Sequence, residues 1–451
     1  MKTNGKVTLD SAASNFASRF SRSGELAAEG GRYIPGGYSR HSLTFGPHAI
    51  YVERGAGAYL QTVEGHRLLD FHNNFSCNIL GHGHPRVRAA LAELVERGYS
   101  FGNPMQHEHR LAAMLCERVP SVERIVFSCS ASESCLSAMR IARANTGKDL
   151  IAKFEGGYHG MGDDFMLSLH PFRELFPGPA HNPIAVPNTA GIPRHVRENV
   201  VVLPQNDLES CARILRARAD ETACVIMELQ TGAGGVITLE RDFVQGVREL
   251  TRELDILMVI DETITLRAGY GGMQGIYGVQ PDLTIFGKMI GGGVPIGAVG
   301  GRADLFRMAE EGMIYHSGTH HGHPLATAAG IATLEVMDQA AYGRINAQAA
   351  RIRDTLGTWA AGKEFPFIMY GVGSHLGYEI TDGSARTYRS CRDMIRRSVE
   401  PHMQTFAFEM ANRGIFPMYR GQIALSEPMT DADIETFIGT AQSVLTDMFT
   451  G

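Results

Sequence analysis

The sequence lacks the marks of several large protein classes. No apolar stretch in its 451 residues approaches the roughly 18 residues that a membrane-spanning helix needs. No block of basic residues stands out, and the net charge of -6 argues against a nucleic acid or another polyanion as a partner. Residues 1–22 are polar and hold no apolar core, so we expect no secretory signal there. These absences favour an ordinary globular protein with neither a membrane nor a nucleic-acid partner.

Cysteine gives no sign of a disulfide framework. The seven cysteines are odd in number, and no two of them have the C-x-x-C spacing. Several lie among apolar residues, as Cys224 does between Ala223 and Val225. We therefore expect reduced thiols in the core and a cytoplasmic location.

Histidine gives no sign of a metal site. The two groups that come into question are His316, His320, His321 and His323, and His82 with His84. Neither group has the H-E-x-x-H spacing or the paired carboxylate that zinc sites use. We predict that the protein has no metal.

Apolar runs of strand length alternate with helical patterns through the middle of the chain. The clearest runs are 125–127, 150–152, 200–203, 225–227, 256–260 and 284–286, and helical patterns lie at 86–97, 135–145 and 241–254. This alternation predicts an α/β fold with a mainly parallel sheet and helices on both faces. We expect an N-terminal segment (1–69) that is partly in a small domain, a large domain (70–330) and a C-terminal small domain (331–451).

The two ends of the chain carry weaker patterns. Short alternating runs at 49–52 and 57–60 predict two strands. The segment 431–448 follows the N-cap candidate Thr430 and predicts a terminal helix.

One carboxylate and one amine come directly after two of the apolar runs. Asp261 follows the run 256–260, and Lys288 follows Gly287 at the start of a glycine-rich loop. Ligands of parallel α/β folds bind at the carboxyl ends of the strands, and glycine lets the backbone approach a bulky ligand. A pyridoxal phosphate (PLP) enzyme needs these two groups, because the lysine forms a Schiff base with the aldehyde and the carboxylate keeps the pyridine nitrogen protonated.

A nicotinamide enzyme and a non-catalytic protein are the alternatives for such a fold. The loop at 291–297 lacks the G-x-G-x-x-G spacing of a dinucleotide site, and Pro295 would interrupt a helix start. A buried lysine and a buried carboxylate are costly without a role, which argues against a protein that has lost its chemistry.

Other polar residues follow neighbouring strands. Ser130, Ala131 and Ser132 open the helix after the run 125–127, where free N–H groups suit a phosphate, although the same pattern is also an ordinary capping box. Tyr158 follows another strand and is suited to stack on a flat cofactor. Glu228 adds an acid at the same edge of the predicted sheet.

Together these motifs resemble the class III aminotransferases of PLP fold type I, and most closely their glutamate-1-semialdehyde aminomutase-like and β-amino-acid aminotransferase branch. The markers are Gly81-His82-Gly83-His84-Pro85, Ser130-Ala131-Ser132-Glu133, Gly157-Tyr158-His159-Gly160, Asp261-Glu262-Thr263, Tyr270-Gly271-Gly272-Met273-Gln274 and Gly287-Lys288. The resemblance covers nearly the whole chain. It implies a large domain with a mainly parallel, seven-stranded-type sheet and a smaller α+β domain built from both termini.

The resemblance also implies roles for single residues. Lys288 is then the Schiff-base lysine, and Asp261 is the partner of the pyridine nitrogen. The further implied cofactor contacts are Ser130, Ala131, Ser132, Tyr158, His159 and Glu228. Thr319 matches a threonine that reaches the phosphate of the neighbouring subunit, which implies a homodimer with shared active sites.

Three arginines are candidates for binding a substrate carboxylate. Arg40 lies in a segment that covers the active site in the family it resembles. Its position is similar to that in β-amino-acid aminotransferases, whereas true semialdehyde aminomutases have their arginine at the position of Leu43. Arg267 and Arg420 are the rival candidates.

We therefore predict ping-pong transfer of an amino group between a carboxylate-bearing amine, with β-amino acids among the candidates, and an oxo acid. An intramolecular aminomutase of the semialdehyde type and a racemase or epimerase are the alternatives, since all would share Lys288 and Asp261. Only transamination requires a second, oxo-acid substrate.

Overall fold

The structure is a computed structural model that describes residues 6–43, 46–169, 178–384 and 386–450. Its α-helical segments, in chain order, are α1 (Leu9–Arg19), α2 (Ser21–Gly30), α3 (Asn73–Ser76), α4 (Pro85–Arg97), α5 (Gln106–Arg118), α6 (Ala131–Thr146), α7 (Leu208–Ala217), α8 (Arg241–Glu253), α9 (Gly272–Tyr277), α10 (Arg307–Glu310), α11 (Pro324–Val336), α12 (Gln339–Gly362), α13 (Cys391–Arg397), α14 (Glu400–Asn412) and α15 (Asp431–Phe449).

The strands form three sheets. In chain order they are β1 (Val52–Ala56), β2 (Tyr59–Thr62), β3 (Arg67–Asp70), β4 (Arg124–Ser128), β5 (Leu150–Phe154), β6 (Val200–Leu203), β7 (Thr222–Met227), β8 (Leu257–Asp261), β9 (Leu283–Gly287), β10 (Gly297–Gly301), β11 (Phe367–Tyr370), β12 (His375–Ile380), β13 (Ile415–Phe416) and β14 (Gln422–Ala424).

One compact unit comprises Pro85–Gly343 and Tyr388–Arg396. It contains a seven-stranded sheet with the order β4-β10-β9-β8-β7-β5-β6. Only β10 runs antiparallel to its neighbours in this sheet. Strands β5, β6, β7 and β9 are buried along their whole length, which explains their continuous apolar sequences. The predicted mainly parallel seven-stranded sheet is confirmed.

The other compact unit comprises Met1–His84, Arg344–Thr387 and Arg397–Gly451. It has a four-stranded sheet, β1-β2-β3-β13, and a three-stranded antiparallel sheet, β11-β12-β14. Its core is rich in aromatic side chains from the C-terminal half, including Phe367, Tyr378, Phe406 and Phe437. This unit is the smaller α+β domain expected from both termini. The boundaries predicted at residues 69/70 and 330/331 stay a prediction.

The terminal helix predicted after the N-cap candidate Thr430 is present as α15. Thr430 caps α15 by accepting a hydrogen bond from the Asp433 N–H, and the Asp433 side chain accepts from the Thr430 N–H in return. This reciprocal capping box fixes the start of the helix where the sequence placed it.

Two predicted strands lie earlier in the sequence than the observed ones. The runs 49–52 and 57–60 correspond to β1, which begins at Val52, and β2, which begins at Tyr59. The turn of this hairpin falls at Gly57 and Ala58, between the paired residues Ala56 and Tyr59. Gly57 has a φ of 57°, a left-handed conformation that glycine adopts without steric cost. Turn geometry, rather than the apolar pattern, sets this register.

No described helix is long and apolar enough to cross a membrane. All seven cysteines are free thiols. The cytoplasmic location that the sequence suggested stays a prediction.

Candidate active site

Three chemically active side chains lie at the carboxyl ends of adjacent strands. Asp261 is the last residue of β8, Lys288 directly follows β9, and Glu228 directly follows β7. Strands β7, β8 and β9 are parallel neighbours, and Asp261 lies opposite Ile285 of β9. Because carboxyl ends of parallel strands meet at one edge, the three residues share a rim of the sheet. We call this edge the carboxyl rim.

Asp261 is buried and held by three donors. Its Oδ2 atom accepts from Nδ1 of His159 at 2.9 Å and lies 3.8 Å from Sγ of Cys135, and its Oδ1 atom accepts from the Thr263 N–H at 3.0 Å. Burial by itself raises the pKa of Asp261, but the hydrogen bonds of His159 and Thr263 outweigh it and hold the pKa below its ordinary value. The carboxyl group is therefore ionised and suited to a cationic partner.

Glu228 has the opposite electrostatic balance. Burial, followed by the charge of Asp261, raises its pKa. Its carboxyl oxygens accept from the Tyr158 N–H at 2.9 Å and the Gly232 N–H at 3.0 Å. The charge of Lys288 acts on Glu228 in the other direction, so the three rim residues are electrostatically connected.

The backbone at Lys288 has a left-handed conformation with a φ of 50°. For a residue with a side chain this geometry costs about 1–2 kcal/mol and is found mainly at functional sites. Gly287 precedes it, and a Cβ atom there would lie 3.0 Å from Cβ of Ala131 and 3.1 Å from Cγ2 of Thr263. Glycine thus lets the start of α6 and the end of β8 approach the lysine.

The first turn of α6 lies at the same rim. Ser130 is the N-cap and forms a capping box with Glu133, so the capping pattern read from the sequence is present. A Cβ atom at Gly297 of β10 would come within 2.2 Å of the Ser130 carbonyl oxygen and 2.6 Å of the Ala131 nitrogen. The first N–H groups of a helix have no acceptor within the helix, and the 16 residues of α6 give this end a positive dipole.

Tyr158 and the loop that follows it lie next to this turn. Tyr158 exposes 37% of its surface, and burial of the rest is the main cause that raises its pKa, while a hydrogen bond with Ser132 lowers it. A Cβ atom at Gly160 would come within 2.4 Å of Oγ of Ser132. The structure therefore brings Tyr158 and Ser132 together beside the carboxyl rim.

The candidate arginines have different environments. Arg40 is exposed, and its Nη1 atom donates to Oδ1 of Asn74 at 2.6 Å. Arg420 is exposed in the turn between β13 and β14. Arg267 is only 1% exposed and is one of the largest fully buried side chains among the described residues. Of the three arginines, the exposed Arg40 and Arg420 are therefore better placed than Arg267 to reach a substrate from solvent.

Thr319 is exposed in a turn that follows Met313 and Tyr315. The backbone of the next residue, His320, hydrogen-bonds to the Cys129 thiol and opposes the rise of its pKa that burial causes. This contact ties the Thr319 turn to the residue that precedes Ser130.

One group of possible metal ligands occurs among the described residues. Ligand atoms of Cys129, Glu133 and His321 lie within 4.8 Å of one another. Oε2 of Glu133 already accepts from the N–H groups of Cys129 and Ser130 as part of the cap of α6. Because the geometry has this structural explanation, we assign no metal to it.

Of the three groups that hold Asp261, the sequence implied a cofactor contact for His159 but gave no role to Cys135 or Thr263. The helix pattern that contains Cys135 and the segment Asp261-Glu262-Thr263 were both visible, but nothing in the sequence indicates that they meet.

Comparison with known proteins places the chain in a family. The family described as "Aminotransferase class-III" matches residues 43–433. A glutamate-1-semialdehyde 2,1-aminomutase from Heliobacterium modesticaldum is 36% identical over 431 residues, which are 94% of this chain and 96% of that protein.

Two solved structures are similar over almost the whole chain. An omega-transaminase from Sphaerobacter thermophilus has a TM-score of 0.89 and 33% identity, with coverage of 94% of this chain and 97% of that one. A β-phenylalanine aminotransferase from Variovorax paradoxus has a TM-score of 0.88 and 30% identity, with coverage of 96% of both chains. The chain belongs to the class III aminotransferase family.

Proposed function

We propose that the protein is a PLP-dependent aminotransferase that moves an amino group between a carboxylate-bearing amine, with β-amino acids as the candidate class, and an oxo acid. One observation carries this proposal: Asp261 and Lys288 lie at the ends of adjacent parallel strands, and Asp261 is held in its ionised form. When bound, PLP supplies a conjugated pyridine ring that withdraws electrons from the carbon bearing the amino group.

The residues of the rim fit each part of this cofactor. An anionic phosphate suits the N–H groups of Ala131 and Ser132 at the start of α6. A protonated ring nitrogen suits the ionised carboxylate of Asp261. The absence of a side chain at Gly287 lets Ala131 and Thr263 pack against the backbone beside Lys288, which keeps the start of α6 close to the lysine. Lys288 is half-buried at the same rim, where a lysine suits the aldehyde of this cofactor.

In this proposal each side chain has a separate task. Lys288 is the general base that takes the proton from the carbon bearing the amino group and gives it back. Asp261 keeps the ring nitrogen protonated, while Tyr158 covers a face of the ring. The hydrogen bonds from His159 and Thr263 keep Asp261 ionised. The proton therefore stays on the ring nitrogen and does not move to the carboxylate.

Arg40 is the proposed anchor of the substrate carboxylate. A guanidinium has five N–H donors in a planar fork that matches a carboxylate. The Nη1 atom of Arg40 donates to Asn74, a neutral acceptor that leaves the positive charge uncompensated. The similarity to a β-phenylalanine aminotransferase supports β-amino acids as the candidate class. Arg420 stays the alternative anchor.

An intramolecular aminomutase is the second candidate function. It is favoured by the relative that is 36% identical and is named a glutamate-1-semialdehyde 2,1-aminomutase. The two functions differ in whether a separate oxo acid is needed to complete the reaction.

A homodimer with shared active sites is part of the proposal. Two large apolar side chains shortly before Thr319, Met313 and Tyr315, are 63% and 77% exposed in the single chain. Exposed apolar groups of this size are typical of an interaction surface. A second copy that covers them would bring Thr319 next to the subunit boundary, where it is suited to bind the phosphate of the partner.

The oxo-acid requirement tests the proposed reaction. Purified protein loaded with PLP is incubated with β-phenylalanine, with and without 2-oxoglutarate or pyruvate, and the amine is quantified by chromatography. We expect sustained consumption only with an oxo acid, because ping-pong transfer leaves the amino group on the cofactor after one turnover. A parallel incubation contains glutamate 1-semialdehyde in place of β-phenylalanine and no oxo acid. Isomerisation of the semialdehyde there would contradict the proposal and support the aminomutase.

Replacement of Arg40 tests the anchor. Arg40→Ala should raise KM for β-phenylalanine by about 10- to 100-fold, the value of hydrogen bonds to a charged group. KM for 1-phenylethylamine, which has no carboxylate, should change little. Arg32→Ala, which removes the same charge from an exposed position nearby, is the control. Equal changes of KM for both amines would show that Arg40 is not the anchor.

Sedimentation measurements test the assembly. The purified protein should have a mass close to twice the 49.1 kDa of one chain. The double variant Met313→Glu and Tyr315→Glu should shift it to the mass of one chain, because burying two carboxylates in the interface is costly. The same variant should also bind less PLP. The mass of a single chain for the unaltered protein would rule out the dimer.

A further inference from the structure

The segment α3 is a left-handed turn and not a right-handed α-helix. Its residues Asn73, Asn74, Phe75 and Ser76 have φ values of 47°, 50°, 53° and 68°, so they form a left-handed turn without any glycine. Left-handed geometry is strained for most residues that have a side chain, and asparagine tolerates it better than phenylalanine does. Such a turn persists only where the surrounding structure enforces it, and such places are often functional.

Several buried contacts enforce this turn. Oδ1 of Asp70 accepts from the N–H groups of His72 and Asn73, both at 2.9 Å. The Asn73 side chain donates to the carbonyl oxygens of Asp70 at 3.1 Å and Ala424 at 2.6 Å. These hydrogen bonds hold the start of the turn, at His72 and Asn73, in one position.

The buried side chain of His72 also holds the turn in place. Its ring stacks on Phe416 with an interplanar angle of 11°, and its Nδ1 atom accepts from the Phe75 N–H at 3.2 Å. Burial, together with the charge of Arg40, lowers the pKa of His72 to about 4, while Asp70 raises it in part. The ring is therefore neutral near pH 7 and keeps the lone pair that accepts this bond.

The two middle residues of the turn, Asn74 and Phe75, contact Arg40. Asn74 is exposed and accepts from Nη1 of Arg40 at 2.6 Å. The Phe75 ring lies under the guanidinium, with 5.7 Å between Cζ of Arg40 and the ring centroid. The distance is within the range of a cation–π interaction. The hydrogen bond holds the Nη1 atom of the guanidinium, and the aromatic ring lies against the guanidinium carbon.

We propose that Asn74 and Phe75 are positioning residues that orient Arg40 and thereby set the preference of the enzyme for amines that carry a carboxylate. The inference rests on the proposed role of Arg40. A neutral amide and an aromatic ring hold the guanidinium without neutralising it, so its charge stays available to the substrate. An acid at position 74 would hold Arg40 equally well but would compete with the substrate carboxylate.

Asn74→Gly separates this role from a structural one. Glycine adopts a φ of 50° without strain, so the melting temperature should stay the same or rise. The acceptor for Arg40 is lost, so KM for β-phenylalanine should rise about fivefold, while KM for 1-phenylethylamine should stay unchanged. A variant that is equally stable and has an unchanged KM for both amines would overturn the proposal.

Two further variants test the chemistry of the positions. Asn74→Asp keeps the shape and tolerates the left-handed backbone, but it should raise KM for β-phenylalanine more than Asn74→Gly does, because it pairs with Arg40. Phe75→Leu should raise this KM about two- to fivefold through loss of the ring. If Asn74→Asp has a KM at or below that of the unaltered enzyme, the proposal is wrong.

Arg40→Ala, measured in the same experiment, distinguishes the two possible failures. If it leaves the preference for carboxylated amines unchanged, then the proposed anchor fails and the inference fails with it. If it abolishes the preference while the Asn74 and Phe75 variants retain it, then only the inference fails.

Discussion

The buried hydrogen bond between His159 and Asp261 is the interaction on which the proposed chemistry depends. The carboxylate is surrounded by protein, and without donors its pKa would rise. Burial, which outweighs the attraction of Asp261, lowers the pKa of His159, so the imidazole is neutral. Its Nε2 atom is buried and has no hydrogen-bond partner in the part of the chain that is described, so the single proton belongs on Nδ1, which donates to Asp261. A neutral donor thus stabilises a negative charge without cancelling it.

The fold brings segments that are distant in sequence to the carboxyl rim, where Asp261 lies. Lys288 and Asp261 come from adjacent strands, and the start of α6 joins them because glycines at 287 and 297 allow close approach. The segment Tyr388–Arg396 belongs to the same unit although it is distant in sequence. Arg392 fixes it there, since its Nη2 atom donates to Oε1 of Glu155 at 2.8 Å in a buried ion pair. Breaking such a pair would leave a charge buried without a partner.

Much of this arrangement could be predicted from the sequence. The features that could not be predicted have identifiable physical reasons. Buried parallel strands have long apolar runs, so the sheet and the residues that end its strands were visible. Strand β10 was missed because its sequence, Gly297–Gly301, has little strand propensity, and its glycines are required by close packing against Val122 and the Ser130 carbonyl. The left-handed turn at Asn73–Ser76 has no glycine to indicate it. Pairing of His159 with Asp261 joins residues 102 positions apart, which no local pattern reveals.

Identification of the residue that binds PLP tests the account most directly. The purified holoenzyme should be yellow, and reduction with borohydride followed by peptide mapping by mass spectrometry should find the cofactor on Lys288. The fully buried Lys153 of β5, a strand of the same sheet, has a pKa that burial lowers to about 7; it is the natural internal control and should stay unlabelled. Labelling of Lys153 or of any lysine other than Lys288 would contradict the account.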